Sequence, residues 1–375
     1  MKNSNNFNTF PVKTRVLIAP LDWGLGHATR CIPIIKELIS QNCEVFIAAG
    51  GKGGFLLKKE FPSSVFLRIN CYKIKYSSNK KWLPFKLFLQ FPGIIFSIWK
   101  ENLWLKKIVN KYRIDAVISD NRFGIYSKKI PSVYITHQLL IKTGNIFSEK
   151  ILQKLHYYFI KKFSICWVPD FKENGLAGEL SHPEKIPSNI VYIGPLSRFE
   201  ILNDVPKIYD LLISVSGPEP QRTLFEKMIL SQLKNFEKRT LFVRGLPEEI
   251  EELKTERESM KIVNHLSAEE LNKAFQQSKM IISRSGYTTI MDLAKLGKNA
   301  VLVPTPGQTE QEYLSHFLMQ KKYFYSVEQD KFSLDSVLTK VSSFPFNNPV
   351  VCMNDYKKVI NEFVLSLKSG NFAPQ

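Results

Sequence analysis

Short apolar runs alternate with helical patterns along the first half of the chain. The runs predict strands at Val16–Ala19, Glu44–Ala48, Val65–Ile69, Ala116–Ser119 and Val133–Thr136. They are rich in valine and isoleucine and do not alternate with polar residues, which is typical of strands buried on both faces. The first half is therefore expected to form a parallel sheet covered by helices on both sides.

The same pattern starts again in the second half. Predicted strands lie at Leu211–Val215, Thr240–Val243, Lys261–Asn264, Met280–Ser283 and Ala300–Pro304. Helical patterns lie between them, for example at Ala268–Gln277 and Thr288–Leu296. The expected fold class is α/β, with two doubly wound, Rossmann-like domains that face a common cleft.

A segment without periodicity separates the two halves. Tyr192–Lys207 has two prolines and no repeating apolar spacing. It is the expected linker between a domain at 1–200 and a domain at 201–375, since a chain of 375 residues exceeds what one core usually serves. Apolar residues recur at helical spacing from Tyr356 to Leu367. This last helix is expected to dock on a domain, with the N-terminal one as a candidate.

Charge is distributed unevenly between the halves. The net charge is +18, and residues 1–200 hold 30 Lys and Arg against 13 Asp and Glu, while residues 201–375 hold 22 against 21. A basic first half suits an anionic membrane surface or a nucleic acid. The five cysteines (Cys31, Cys43, Cys71, Cys166 and Cys352) lack metal-ligand spacing, and reduced thiols of a cytoplasmic protein are expected.

A basic and aromatic segment favours the membrane surface. Residues 72–113 contain ten basic residues, ten aromatics and one acid, and the aromatics include Trp82, Phe85, Phe88, Phe91, Phe96, Trp99 and Trp104. This composition is typical of a segment that lies among lipid headgroups, and the basic stretch at 149–163 would extend that surface. The alternative is that these aromatics belong to the core. Nucleic-acid binding is not expected, because the apolar content is too high for a polyanion groove. No secretory signal or clean membrane span is predicted, so the protein is expected to be peripheral at the inner face of the membrane.

The first strand runs into a glycine-rich turn that contains a histidine. In "DWGLGHATR", Gly24 and Gly26 can bring the backbone close to an acceptor, and His27 can accept a proton. Thr29 is a candidate helix cap, with Pro33 in the first turn. Asp22 could orient His27, act as the base itself, or be a solvated turn acid.

Two further N-terminal strands end in polar residues. Asp120, Asn121 and Arg122 follow one strand, and His137 and Gln138 follow the next. Ligands gather at the carboxyl ends of parallel strands, so these residues are candidates for acceptor binding, with Asp120 as an alternative base. The other interpretation is that they are polar caps of strand ends.

The sharpest signal for a phosphate lies in the second half. A strand ends at Ser285 and Gly286, and a helix follows near Thr288, so free amides and the positive end of the helix dipole can bind a diphosphate. Asp292 lies about one turn further and suits a ribose diol. Two more loops join the same edge and offer donor contacts, namely Gln311 and Glu312 for sugar hydroxyls and Gly217 and Arg222 for a phosphate.

With these motifs placed, the chain resembles the two-domain glycosyltransferases of the GT-B fold. It is most similar to the family of the N-acetylglucosaminyltransferase that completes the lipid-linked peptidoglycan precursor. The resemblance is strongest over Ser283–His316 and weaker over Gly24–Arg30. It implies diphosphate contacts at Ser285, Gly286 and Thr288. Asp292 stands where that family usually has a glutamate, and Glu312 where it commonly has a second glutamine.

The resemblance implies an inverting transfer from a UDP-sugar to a lipid-linked or membrane-proximal acceptor. No acidic pair of the DxD type ends a strand, so no metal is expected, and the UDP-sugar is a substrate rather than a cofactor. The alternatives are a UDP-sugar epimerase of the same fold and a non-enzymatic protein that binds membranes or nucleic acid.

Overall fold

The computed structural model of the protein describes residues 13–22, 24–69, 83–251, 253–347, 353–370 and 372, without the side chains of 83–92. Two parallel sheets organise the chain. The first unit contains the elements β1 (Arg15–Pro20), α1 (Leu25–Ser40), β2 (Glu44–Ala48), α2 (Gly51–Glu60), β3 (Val65–Leu67), α3 (Leu83–Tyr112), β4 (Ala116–Asp120), β5 (Ser132–Ile135), α4 (Ile146–Ile160), β6 (Ile165–Val168) and β7 (Ile190–Tyr192).

The second unit repeats the plan. Its elements are β8 (Tyr209–Ser214), α5 (Gln221–Gln232), β9 (Thr240–Val243), β10 (Met260–Val263), α6 (Ala268–Gln277), β11 (Ser278–Ser283), α7 (Tyr287–Lys295), β12 (Ala300–Leu302), α8 (Thr309–Gln320), β13 (Tyr325–Ser326) and α9 (Leu334–Ser342). A final helix, α10 (Asp355–Lys368), follows.

Both sheets reverse their strand order at one point. The first sheet has the order β3-β2-β1-β4-β5-β6-β7, and the second has β10-β9-β8-β11-β12-β13. Chain connections leave in opposite directions at β1/β4 and at β8/β11, so a crevice opens there beyond the carboxyl ends of the strands. These orders confirm the prediction of two doubly wound sheets. They also mark the residues after β1, β4, β8 and β11 as the positions nearest a ligand.

The strands predicted from sequence are all present, and three others were missed. The missed strands are β6, β7 and β13, which have four, three and two residues. β7 and β13 are the outer strands of their sheets. Runs this short cannot display a period, and a partly exposed edge strand does not need a continuous apolar sequence.

The last helix packs on the first unit. The ring of Phe363 meets the edge of Trp167 in β6, with centroids 5.4 Å apart. Nζ of Lys368 donates to the carbonyl of Gln41 at the end of α1, at 3.2 Å. The last helix therefore helps to close the core of the first unit. Within the described residues, no helix combines the length and apolar character that crossing a bilayer requires.

This packing predicts a large stability cost for one substitution on α10. Phe363 is buried, so Phe363→Ala should lower the free energy of unfolding by about 3 to 5 kcal/mol through the cavity it leaves. Leu365→Ala on the exposed face of the same helix is the matched control, with a change within about 0.5 kcal/mol. Urea unfolding followed by circular dichroism measures both. Equal losses in the two variants would contradict the docking of α10.

Candidate active site

The carboxyl ends of β1 and β4 place a histidine and an aspartate side by side. α1 begins at Leu25, so His27 lies in its first turn, and Asp120 is the last residue of β4. Nδ1 of His27 lies 3.1 Å from Oδ1 of Asp120. Asp120 is fully buried, whereas 17% of the His27 side chain is exposed. The histidine is therefore the member of this pair that a substrate can reach.

Two glycines shape the turn before this histidine. Gly24 precedes the helix with φ +80°, a conformation that favours glycine. A Cβ atom at Gly26 would lie 3.3 Å from Oγ1 of Thr288 in the second unit, so glycine permits the two units to approach. The expectation that Thr29 caps the helix is wrong, because its hydroxyl donates to the Gly26 carbonyl inside the helix at 3.0 Å. Pro33 likewise lies in the helix interior.

Arg30, which the sequence analysis did not select, holds the pair in place. Its Nε donates to Oδ2 of Asp120 at 2.8 Å, its Nη2 donates to Oδ1, and Nη2 lies 2.8 Å from Nδ1 of His27. Burial alone would raise the pKa of Asp120, but Arg30 and His27 hold that pKa well below its usual range. Asp120 is therefore a carboxylate at neutral pH. The spacing of Arg30 three residues after His27 on one helix face is the signal that could have identified it.

His137 connects this network to the second unit. Its Nδ1 lies 3.0 Å from Nη1 of Arg30, and its Nε2 lies 2.8 Å from Oε1 of Glu310 in the first turn of α8. The ring stacks on Tyr287, with centroids 4.2 Å apart. Burial lowers the pKa of His137 in spite of Glu310. Both ring nitrogens of His137 are thus engaged in a contact between the units, and its assignment to acceptor binding stays a prediction.

Three other predicted residues of the first unit serve the fold. Arg122 is completely buried and pairs with Glu101 at 2.6 Å and with Asp22. Its guanidinium neutralises these two carboxylates, and its assignment to acceptor binding stays a prediction. Oδ2 of Asp22 pairs with Arg122, and its Oδ1 accepts a hydrogen bond from the Gly50 amide at 3.3 Å. Asn121 has φ +57°, and its Oδ1 accepts a hydrogen bond from Tyr134 at 3.0 Å, so it terminates β4 rather than facing an acceptor.

The start of α7 keeps the features expected of a phosphate site. Gly286 is the residue before the helix, and no side chain among the described residues caps it. The amides of the first turn have no partner within the helix itself. No described atom lies within 4 Å of the position that a Cβ would take at Gly286, so space is open beside these amides. Oγ1 of Thr288 donates to the Gly26 carbonyl at 3.2 Å, which places this helix end beside the His27 turn.

Two predicted donor contacts are engaged elsewhere. Asp292 is buried and accepts a hydrogen bond from Ser197 at 2.6 Å, with Nε of Arg198 3.6 Å from its other oxygen. Burial raises the pKa of Asp292 to about 6, although Arg198 opposes the shift. Asp292 thus faces the linker between the units. Arg222 pairs with the carboxylates of Glu219 and Glu226, and its assignment to a phosphate stays a prediction.

Three of the remaining predicted donor-site residues make hydrogen bonds within the loops around α7. Ser285 is buried, and its hydroxyl donates to the carbonyl of Gln311 at 2.9 Å. Oε1 of Gln311 accepts from the Thr305 amide at 2.9 Å, and Oε1 of Glu312 accepts from the Gly307 amide at 2.9 Å. Gly217 follows β8 with φ +116°. Within the ranges that the structure describes, no group of three or more His, Cys, Asp or Glu side chains is arranged to hold a metal ion.

The buried ion pairs of Arg122 predict a loss of stability when this residue is substituted. Arg122→Gln removes the positive charge that pairs with the Glu101 and Asp22 carboxylates and should lower the free energy of unfolding by about 3 to 5 kcal/mol. Arg15→Gln is the matched control, because the Arg15–Glu44 pair is partly exposed and should contribute about 1 kcal/mol or less. Urea unfolding measures both. A fully stable Arg122→Gln protein would contradict the structural role.

Comparison with solved structures identifies the fold. The crystal structure of the kitacinnamycin glycosyltransferase superimposes with a TM-score of 0.60 at 12% identity and covers 96% of both chains. The crystal structure of MurG from Acinetobacter baumannii superimposes with a TM-score of 0.51 at 15% identity, again over 96% of both chains. At these identities the likeness concerns the fold, and it confirms the prediction of the GT-B architecture.

Sequence comparison identifies the family. A relative from Rickettsia felis, a UDP-N-acetylglucosamine–N-acetylmuramyl-(pentapeptide) pyrophosphoryl-undecaprenol N-acetylglucosamine transferase, is 22% identical over 349 residues, which are 87% of this chain and 89% of the relative. A sequence profile described as glycosyl transferase family 1 matches residues 15–345. The match spans both sheets and includes the His27 turn and the start of α7. The chain belongs to glycosyl transferase family 1 and is a glycosyltransferase of the GT-B fold.

Proposed function

We propose that this glycosyltransferase transfers a sugar from a UDP-sugar to a lipid-linked or membrane-proximal acceptor, with inversion at the anomeric carbon and without a metal ion. The observation that carries the proposal is the contact between Thr288 and Gly26. It brings the amide-rich start of α7 next to the turn of His27. A leaving diphosphate and an acceptor hydroxyl can therefore meet between the two units. The name of the Rickettsia felis relative supports the choice of donor and acceptor.

His27 is the proposed general base. This role requires the tautomer with the proton on Nδ1, donated to Asp120, so that Nε2 keeps its lone pair; Nη2 of Arg30 then donates to Asp120 and not to Nδ1. No described residue is hydrogen-bonded to Nε2. The buried carboxylate then stabilises the imidazolium that forms when the base takes a proton. Asp120 does not reach a substrate, because it is fully buried. It is a positioning residue, and so is Arg30, which fixes both of its oxygens.

The start of α7 is the proposed site of the diphosphate. Unpaired first-turn amides and the helix dipole stabilise negative charge as it develops on the leaving group. In the proposed step, the acceptor oxygen attacks the anomeric carbon from the side opposite UDP. The bond from that carbon to the diphosphate oxygen breaks with its electron pair, and the acceptor proton moves to Nε2 of His27. The products are the glycosylated acceptor, UDP and a protonated His27.

This assignment predicts that two substitutions separate turnover from donor binding. His27→Ala and Asp120→Asn should each lower turnover by about 10²- to 10⁴-fold, because they remove the base or its orientation. UDP affinity, measured by calorimetry, should stay near that of the unaltered protein. His316→Ala is the control, since His316 is an exposed histidine on α8. Turnover is measured with a panel of UDP-sugars and a lipid extract as acceptor source.

The outcomes separate the alternatives. If His27→Ala stays active while Asp120→Asn is inactive, the base is wrongly assigned. Interconversion of UDP-sugars without any acceptor would favour the epimerase of the same fold. The non-enzymatic alternative is overturned by membership of a glycosyltransferase family.

Exposed aromatic side chains beside lysines support a membrane-binding surface on the first unit. On α3, 52% of Phe96 and 55% of Trp99 are exposed, and their rings stack at 5.8 Å. Nζ of Lys100 lies 4.3 Å from the centroid of the Phe96 ring. On α4, Ile146 and Phe147 are also exposed. Exposed aromatics next to lysines suit a layer of anionic headgroups, which would bring the enzyme to a lipid-borne acceptor.

One aromatic residue of the predicted segment packs against the core, and others lie outside the described residues. Trp104 packs against the core of the first unit, so its assignment to the membrane surface is wrong. Trp82 lies outside the described residues, and the side chains of Phe85, Phe88 and Phe91 are also outside them. A continuous aromatic stripe cannot show in sequence which of its members face the core.

The membrane proposal predicts a selective loss of vesicle binding. Phe96→Glu with Trp99→Glu should weaken binding to vesicles of equal parts phosphatidylglycerol and phosphatidylcholine by about tenfold or more, because buried aromatic area is lost and repulsion is added. Ile250→Glu is the control, since Ile250 is 92% exposed on the second unit. Vesicle sedimentation measures both. Equal binding by all three proteins would contradict the assigned surface.

A further inference from the structure

Arg284 is a buried arginine in the loop that follows β11. Its side chain is 1% exposed, and its guanidinium carbon lies 3.8 Å from the centroid of the Phe225 ring. Its nitrogens donate only to uncharged oxygens, which are the carbonyls of Val303, Pro304 and Gln221 and the side chain of Gln329. The residue therefore joins the loops after β11, β12 and β13 to the start of α5.

The other buried arginines differ from Arg284 in one respect. Arg30 pairs with Asp120, Arg122 pairs with Glu101, and Arg222 pairs with Glu226. In the part of the chain that the structure describes, Arg284 has no carboxylate partner. Burial lowers its pKa to about 9, so the guanidinium is still charged at neutral pH. A buried charge without a countercharge is unfavourable in the folded protein unless a ligand supplies one.

The surroundings of Arg284 contain further unsatisfied polar atoms. Nε of Arg284 and the hydroxyls of Ser283 and Thr305 are buried and have no hydrogen-bond partner among the described residues. Thr305 also lies beside Gly217, whose missing Cβ would be 3.9 Å from Oγ1 of Thr305. These atoms belong to the loops that surround the start of α7. Arg284 thus belongs to the same loop as Gly286, two residues before it.

We propose that Arg284 is a positioning residue whose unpaired positive charge is compensated by the diphosphate of the donor nucleotide. This inference rests on the proposed function and assigns a residue that the sequence analysis did not select. Arg284 does not touch the ligand. It acts through its field, which is weakly screened in a buried setting, and through the loops that it holds. The affinity of the site for a nucleotide should therefore rise with the negative charge of that nucleotide.

Substitution of a neighbour gives the sharpest test. Oε1 of Gln329 lies 2.7 Å from Nη2 of Arg284, so Gln329→Glu places a carboxylate of the same size beside the guanidinium. The unliganded variant should have a Tm higher by a few degrees, because the charge is now paired within the protein. UDP should bind about tenfold more weakly, and uridine should bind as before. Gln320→Glu, an exposed change of equal charge at the end of α8, is the control.

A second variant removes the charge itself. Arg284→Gln should weaken the binding of UDP by about tenfold or more, weaken the binding of UMP less, and leave the affinity for uridine unchanged. It should also reduce the salt dependence of UDP binding. Arg257→Gln is the matched control, because Arg257 also donates to backbone carbonyls but lies before β10 at the opposite edge of the sheet. Calorimetry with uridine, UMP and UDP at low and high salt measures these affinities. If Arg284→Gln does not fold, the Gln329→Glu result stands alone.

The results separate this inference from the proposed function. If the unaltered protein binds neither UDP nor UDP-sugars, the proposed donor is wrong. If it binds UDP, the inference is overturned when Gln329→Glu leaves UDP affinity and Tm unchanged. It is also overturned when Arg284→Gln weakens the binding of uridine and of UDP by the same factor, since a merely structural role affects uridine, UMP and UDP alike.

Discussion

The buried carboxylate of Asp120 orders the proposed catalytic residues of the first unit. It is fully buried at the end of β4 and accepts hydrogen bonds from Arg30 on α1, while the thiol of Cys31 lies 3.8 Å away. A buried carboxylate of this kind must be paired, and Arg30 supplies the charge. The pairing fixes α1 against β4 across the point where the strand order reverses. Because His27 lies on the same helix, its orientation follows from this ion pair.

The link between the two units is built from the same network. Nδ1 of His137 contacts Arg30, and its Nε2 contacts Glu310. The ring of His137 stacks on Tyr287, whose hydroxyl donates to the Pro169 carbonyl at 2.9 Å. The residues that hold the histidine turn therefore also contact α7 and α8. Any movement of one unit relative to the other changes the surroundings of the proposed base. The proposed base and the start of α7 are therefore connected through His137.

The sequence predicted the fold well because the evidence for a parallel sheet is local. Unalternated runs such as Glu44–Ala48 and Thr240–Val243 match the strands residue for residue. The positions of His27 and Gly286 were also predictable, since both follow strands at the points of reversal. The role of Arg122 was not predictable from the sequence, because its partners Glu101 and Asp22 come from distant parts of the chain. A polar residue at a strand end can face a ligand or a buried partner, and only the folded chain decides between them.

The two strand-reversal points differ in their electrostatics, and the difference suits their proposed tasks. At β1/β4 the charged groups are paired, so a proton can move to His27 without a large excess of either charge nearby. At β8/β11 the charge of Arg284 stays unpaired within the described residues, next to a helix start that is itself positive. A site that must stabilise a departing diphosphate benefits from such an excess, whereas a base would be made weaker by it. Separation of the two on different sheets allows one enzyme to maintain both environments.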